Sequence, residues 1–145
     1  MNKSTIEAEI KENGFYYSTT VGDSMEPMLF NRQNIVLIVK PSELLKRYDI
    51  PMYKRPNGQY VLHRILKVRE KDYIICGDNR WKTEIVPHDW ILGVTKGYYK
   101  ADTYIDCHKK KYLLYVHLWC DFFYIRCTIL WLLALPKRIR RKLRW

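Results

Sequence analysis

Cysteine is sparse and scattered in this chain. The four cysteines among 145 residues, at 76, 107, 120 and 127, form no Cys-x-x-Cys pair. The sequence therefore has neither a zinc-binding pattern nor a disulfide framework, and all four are expected as free thiols. No metal and no cofactor is expected. An apolar run is missing before residue 35. The opening stretch is therefore expected to be neither a secretory signal nor a membrane anchor. It is also too short for a helix-turn-helix domain, which argues against a DNA-binding repressor. Acidic residues are in deficit, 15 against 26 Lys and Arg, for a net charge of +11. The deficit is local. From residue 96 onward there are 12 basic and 3 acidic residues, against 14 and 12 before it. The charge belongs to the tail, not to the body.

What is present is ample material for a core. The apolar fraction is 48% and the aromatic fraction 14%, which excludes general disorder and suits one domain with an appendage. Ser4-Thr5-Ile6-Glu7 reads as a capping box and Asn13-Gly14 as a helix stop. Phe15–Val21 reads as a strand that ends in a Gly22-Asp23 turn. Asn34–Lys40 is a continuous apolar run, expected as a buried strand. Asp49–Lys54 and Gln59–Val68 flank Arg55-Pro56-Asn57-Gly58, a hairpin signal. Along the second of these strands Val61, His63 and Ile65 share one face, and Leu62, Arg64 and Leu66 the other. Further strands are expected over Tyr73–Cys76 and Ile91–Tyr99.

Three stretches carry chemistry. Ser24 follows the Gly22-Asp23 turn, and Pro27 keeps Glu26 out of a helical conformation. His63 lies on the second hairpin strand. Gly77-Asp78-Asn79 follows a strand. A serine nucleophile needs a base to take its proton, and the base needs a group that fixes its tautomer. Neutral imidazole suits that role, with an unperturbed pKa of about 6.5, so activity is expected to rise through an ionisation near neutrality. Two acids can orient it, Asp78 and Glu84. Gly22 has no side chain to offer an oxyanion, so the Ser24 amide is the expected donor. Asp23 must either point away from a developing negative charge or be paired with an arginine such as Arg32 or Arg64. Met25 and Leu29 suit either a substrate groove or the core.

Ser24-Met25-Glu26-Pro27, His63-Arg64 and Gly77-Asp78-Asn79 resemble, in order, the motif boxes of signal peptidase I and the related LexA-type serine peptidases. Tyr48-Asp49-Ile50 and Ile91-Leu92-Gly93-Val94 fit the flanking pieces. The resemblance spans roughly Phe15 to Tyr99. The histidine resembles the endoplasmic-reticulum and archaeal branch, and Gly-Asp before the serine resembles the repressor branch. Glu84 stands where the histidine branch carries an aspartate. The resemblance implies a mainly β peptidase body over residues 1–106. Its implied activity is cleavage of a leader, signal or precursor peptide by a Ser-His-acid mechanism. Few residues precede Ser24, so the substrate is expected to be another chain. A LexA-like cytoplasmic regulatory protease and a non-catalytic peptide-binding module are the alternatives.

Residues 107–145 read as a hydrophobic helix with a basic tail. Lys109-Lys110-Lys111 precedes an apolar, aromatic run over Tyr112–Leu135, and Pro136 is expected to end it. Its length would cross a bilayer, but Asp121 and Arg126 oppose insertion. His117, Asp121, Tyr124 and Thr128 would form one polar stripe on a helix. The basic flanks point to an anionic membrane surface as a partner through residues 112–145. The expected arrangement is a helix lying at that surface or a short re-entrant pair, with a helix packed on the body as the alternative. No nucleic acid is expected. On this basis the body is expected to fold without the tail.

Overall fold

A computed structural model describes residues 5–142. The chain is mainly β, with a short N-terminal helix and two C-terminal helices. Helix α1 spans Ile6–Asn13. Its cap is Thr5, whose Oγ1 accepts from the Ala8 amide at 3.3 Å. Gly14 closes the helix at φ +78°, where its amide donates to the Ile10 carbonyl. The Glu7 expected to complete a capping box points elsewhere. It accepts from Lys54 Nζ at 2.6 Å and from Tyr60 Oη at 2.8 Å, tying α1 to the hairpin.

Nine strands follow: β1 (Phe15–Thr19), β2 (Asn34–Val39), β3 (Pro51–Lys54), β4 (Tyr60–Leu62), β5 (Arg64–Val68), β6 (Asp72–Cys76), β7 (Glu84–Pro87), β8 (Ile91–Lys100) and β9 (Thr103–Asp106). They make two antiparallel sheets, one of which curls into a half-barrel. The larger runs β1-β2-β8-β3-β4 with β9 on β8, and the smaller is β5-β6-β7. The long strand expected over Gln59–Val68 is in fact two strands that break at His63, one in each sheet. β2 is not buried on both sides as its apolar run suggests. Asn34, Val36 and Ile38 point inward, while Ile35 is exposed.

Two cores result. One packs Ile10, Val36, Ile38 and Met52 with Met25, Met28 and Leu29 beneath the serine turn. The other joins Tyr53 and Val61 of the larger sheet to Ile65, Tyr73, Ile75 and Val86 of the smaller. The tail breaks into two helices, α2 (Lys110–Cys120) and α3 (Phe123–Lys142), bent by 73°. The single polar stripe therefore does not form across the bend, although His117 Nδ1 and Asp121 Oδ2 lie 2.8 Å apart. Pro136 lies inside α3 rather than at its end. The helix formers Lys and Arg that follow it carry the helix on. Tyr112, Val116 and Cys120 of α2 are buried in the first core. The boundary at residue 106 therefore separates two stretches that share one core.

Arg64 and Asp78 are both fully buried and form a bidentate pair, Nε to Oδ1 at 2.8 Å and Nη2 to Oδ2 at 2.7 Å. Arg64 also donates to the Tyr48 carbonyl and to Tyr112 Oη. Removing one partner of such a pair strands a charge away from water and costs about 3–5 kcal/mol. Small domains hold about 5–15 kcal/mol in total. Arg64→Ala is therefore expected to lower the urea midpoint of unfolding severely. A midpoint within error of wild type would show that water reaches the pair.

Candidate active site

Between β1 and β2 the chain makes a loop that is braced from within. Thr20 donates from its amide to the Asn34 carbonyl at 3.0 Å and from Oγ1 to the Phe30 carbonyl at 2.7 Å. The Arg32 amide returns to the Thr20 carbonyl at 2.7 Å. Asn34 is buried, accepting from the Phe30 amide and donating to the Tyr99 carbonyl of β8. Gly22 turns at φ +89°, a conformation that L side chains rarely adopt. Its amide is taken by Asn31 Oδ1. Ser24 therefore sits on a stiff turn with Met25, Met28 and Leu29 packed beneath it. Among the described residues its own amide donates to no backbone acceptor.

The loop Gly77–Arg80 braces the turn from the other side. The Asn79 amide donates to the Ser24 carbonyl at 2.8 Å, and Asn79 Nδ2 to the Asp23 carbonyl at 3.0 Å. Arg80, which is not among the partners expected from the sequence, pairs with the Asp23 carboxylate. A Cβ on Gly77 would lie 2.5 Å from the Ser24 carbonyl oxygen and 3.2 Å from His63 Cδ2. Only glycine admits so close an approach of the three motif stretches.

His63 stands at the seam where the chain passes from one sheet to the other. Its Nδ1 lies 3.4 Å from Tyr53 Oη, and Tyr53 Oη donates to Glu84 Oε2 at 2.8 Å. Because the tyrosine's one proton goes to the carboxylate, its oxygen is left to accept from His63 Nδ1–H. That assigns the tautomer and leaves Nε2 as the acceptor. Glu84 is itself fixed by Arg55, with Nε at 2.8 Å and Nη2 at 2.6 Å. This pairing holds the carboxyl below its usual range. Burial, with Glu84 adding to it, pushes the Tyr53 phenol far up, so it stays protonated.

Of the two candidate acids, Glu84 thus reaches His63 through Tyr53. Asp78 lies behind the site, 0% exposed. Its carboxylate is occupied by Arg64 and by Tyr115 Oη, which donates at 2.9 Å. Among the described residues no hydrogen bond joins it to His63.

Burial also pushes the His63 imidazole down, to about 4, with Glu84 opposing and Arg55 and Arg80 assisting. Between about pH 4 and 6.5 the unfolded chain therefore binds a proton that the folded chain does not. His63's contribution to stability is complete above about pH 6.5 and declines as pH falls toward 4. The acid limb of any activity using neutral His63 moves the same way. We expect kcat/KM to hold level from pH 8 to about 5 and to fall below that. A limb centred near pH 6.5 would mean that the imidazole is solvated. The ionisation expected near neutrality from the sequence is displaced by this desolvation.

Ser24, His63, Gly22 and Asp23 line one cleft of about 350 Å³, together with Arg55, Arg80 and Tyr60. Met25 and Leu29 are buried in the core and also line this cleft. Sequence reading missed Tyr53, Arg55 and Arg80. The hairpin register holds the clue to the first of these. Tyr53 pairs with Val61, which makes it the diagonal neighbour of His63 across the ladder. A register shift against β8 falls between Met52 and Tyr53, a bulge of the kind that re-aims a side chain. Compared with protein-family models, curated proteins and solved structures, the chain has no match.

Proposed function

We propose that the chain is a serine endopeptidase that cuts a leader, signal or precursor peptide in the Ser24–His63 cleft. One observation carries this reading. Ser24 and His63 line the same cleft, and His63 has its Nδ1 tied through Tyr53 to Glu84. The order of the sequence motifs supports it.

In this mechanism His63 Nε2 takes the Ser24 proton as Oγ attacks the scissile carbonyl carbon. The Ser24 amide holds the oxyanion. The imidazolium then protonates the leaving amine as the C–N bond breaks. A water, deprotonated by the same imidazole, hydrolyses the acyl ester and frees Ser24. Thr20–Gly22 and Tyr60–Leu62 both line the cleft, and the peptide is read as lying between Ser24 and these segments.

Incubation with a peptide library, read by mass spectrometry for new N-termini, tests the proposal. Cleavage by wild type that is absent with Ser24→Ala supports it. No cleavage of any peptide, with peptide binding retained, would support a binding module instead. That second reading draws on one observation: among the described residues no hydrogen bond joins Ser24 to His63. Such bonds are often long before substrate arrives.

The relay has its own test. Tyr53→Phe removes the acceptor of His63 Nδ1–H and the donor to Glu84 with little change in volume. It is expected to lower kcat about 10²-fold or more, because the tautomer is no longer fixed, while KM stays within a few fold. Equal kcat for Tyr53→Phe and wild type would show that Tyr53 only fills space.

A further inference from the structure

We propose that the exposed face of α2 and α3 docks on the surface of an anionic lipid bilayer, lying in the interface rather than crossing it. Leu114, Leu118 and Phe122 are each more than half exposed and spaced by four. Beyond the bend Ile125, Leu132 and Leu133 are exposed to the same degree. Large apolar side chains in this density do not remain in water without an occupant.

The occupant follows from charge and tethering. Lys109, Lys110 and Lys111 precede α2, and six Lys and Arg fall between residues 137 and 144. Basic residues flank the apolar run on both sides in the sequence, and anionic headgroups meet such charges with the opposite sign, whereas a second copy of this chain carries the same sign. Of the two charges that oppose insertion, Arg126 is withdrawn, and Asp121 stays 40% exposed at the bend, where an interfacial position keeps it near the headgroups. Arg126 is only 2% exposed and turns into the body, donating to the Arg80 carbonyl at 3.3 Å. Asp121 has His117 beside it.

Crossing is opposed by tethering. Among the described residues no single helix is long and apolar enough to span, and the pair that would suffice in length is bent by 73°. The inner face of α2 is committed to the protein. Val116 is fully buried, Tyr115 donates to the Asp78 carboxylate, and Trp119 Nε1 donates to the Asp78 carbonyl at 2.9 Å. To span, α2 would have to abandon these partners. An amphipathic elbow with basic ends lies in the interface instead.

The same helices grip the Gly77–Arg80 loop that braces Ser24, so the docked face and the cleft are mechanically continuous. The docking itself does not depend on catalysis.

The full chain is spun with sucrose-loaded vesicles of phosphatidylcholine and phosphatidylglycerol, 7:3, and with phosphatidylcholine alone. These ratios are assay conditions of about the anionic content that attracts basic segments. We expect sedimentation with the anionic vesicles and about tenfold weaker partition onto the neutral ones. Leu118→Glu/Leu133→Glu is expected to lower anionic partition about tenfold or more, with an unchanged circular-dichroism melt. Should that variant misfold, quenching of wild-type tryptophan fluorescence by brominated lipid replaces it, since Trp131 is half-exposed on α3. Wild type left in the supernatant with both vesicles overturns the proposal. Undiminished binding by a folded Glu variant, or no quenching, also overturns it. So does a dimer that the Glu variant dissociates while vesicle binding is unaffected. Peptide cleavage is scored separately, so loss of either reading leaves the other standing.

Discussion

Ser24→Ala is expected to lower kcat for peptide cleavage by about 10⁴–10⁶, with KM changed only a few fold. The nucleophile and its base act as one unit, so removing either removes the whole covalent route. What survives is binding and oxyanion stabilisation. The Ser24 amide remains in the alanine variant, and the brace from Asn79 to the Ser24 carbonyl uses only backbone on that side. The turn should therefore keep its shape, and the lost activity can be assigned to the hydroxyl. His63→Ala is expected to cost about as much, and the double variant little more than either single one. Single-turnover kinetics on one cleavable peptide measures all three. If the two single losses multiply in the double variant, Ser24 and His63 act independently and no nucleophile–base pair exists.

The second large effect concerns stability. A chain ending at Asp106 is expected not to fold. Composition alone suggests a separable tail, because its charge and apolar content differ so sharply from the body. The packing argues otherwise. Truncation uncovers the first core where Tyr112 and Val116 cover it, and each such side chain contributes about 1.5–3 kcal/mol by burial. It also takes Tyr115 and Tyr112 from the buried Asp78–Arg64 pair. Leaving buried charged groups short of partners costs about 1–3 kcal/mol per group or more. The sum approaches the whole stability of a domain of this size, about 5–15 kcal/mol. Circular dichroism and a urea titration of the truncated chain decide the matter. A cooperative transition near the wild-type midpoint would show that α2 merely rests on the body.

Much of the fold was readable from the sequence for simple reasons. The hairpin signal at Arg55–Gly58, the stop at Gly14 and the alternation around Val61 are local patterns. Local sterics fix such features with little help from the rest of the chain. The paired loops at Ser24 and Gly77 were also legible, because glycine, aspartate and proline clusters mark turns. Long-range facts were not. Nothing local says that β4 and β5 part company at His63, or that Asp78 faces Arg64 rather than the imidazole. Both acids look equivalent as residue types. They are separated only by which sheet edge and which helix each one meets. Tyr53 was invisible as a relay because a tyrosine in a strand ordinarily reads as core, and it is that as well. β7 and β9, four residues each, are too short to declare themselves.

The grip of α2 and α3 on the Gly77–Arg80 loop has a consequence in time. A ribosome delivers this chain from its N-terminus, so Ser24 and His63 emerge well before Tyr115, Trp119 and Arg126. At about 5–20 residues per second, several seconds of synthesis separate the loop from the helices that hold it. During that interval Asp78 lacks its Tyr115 and Trp119 contacts, and the brace on the serine turn has no backing. The contacts that back the loop from α2 and α3 form last. A nascent chain therefore carries every residue that lines the cleft before it has the helices that hold the loop.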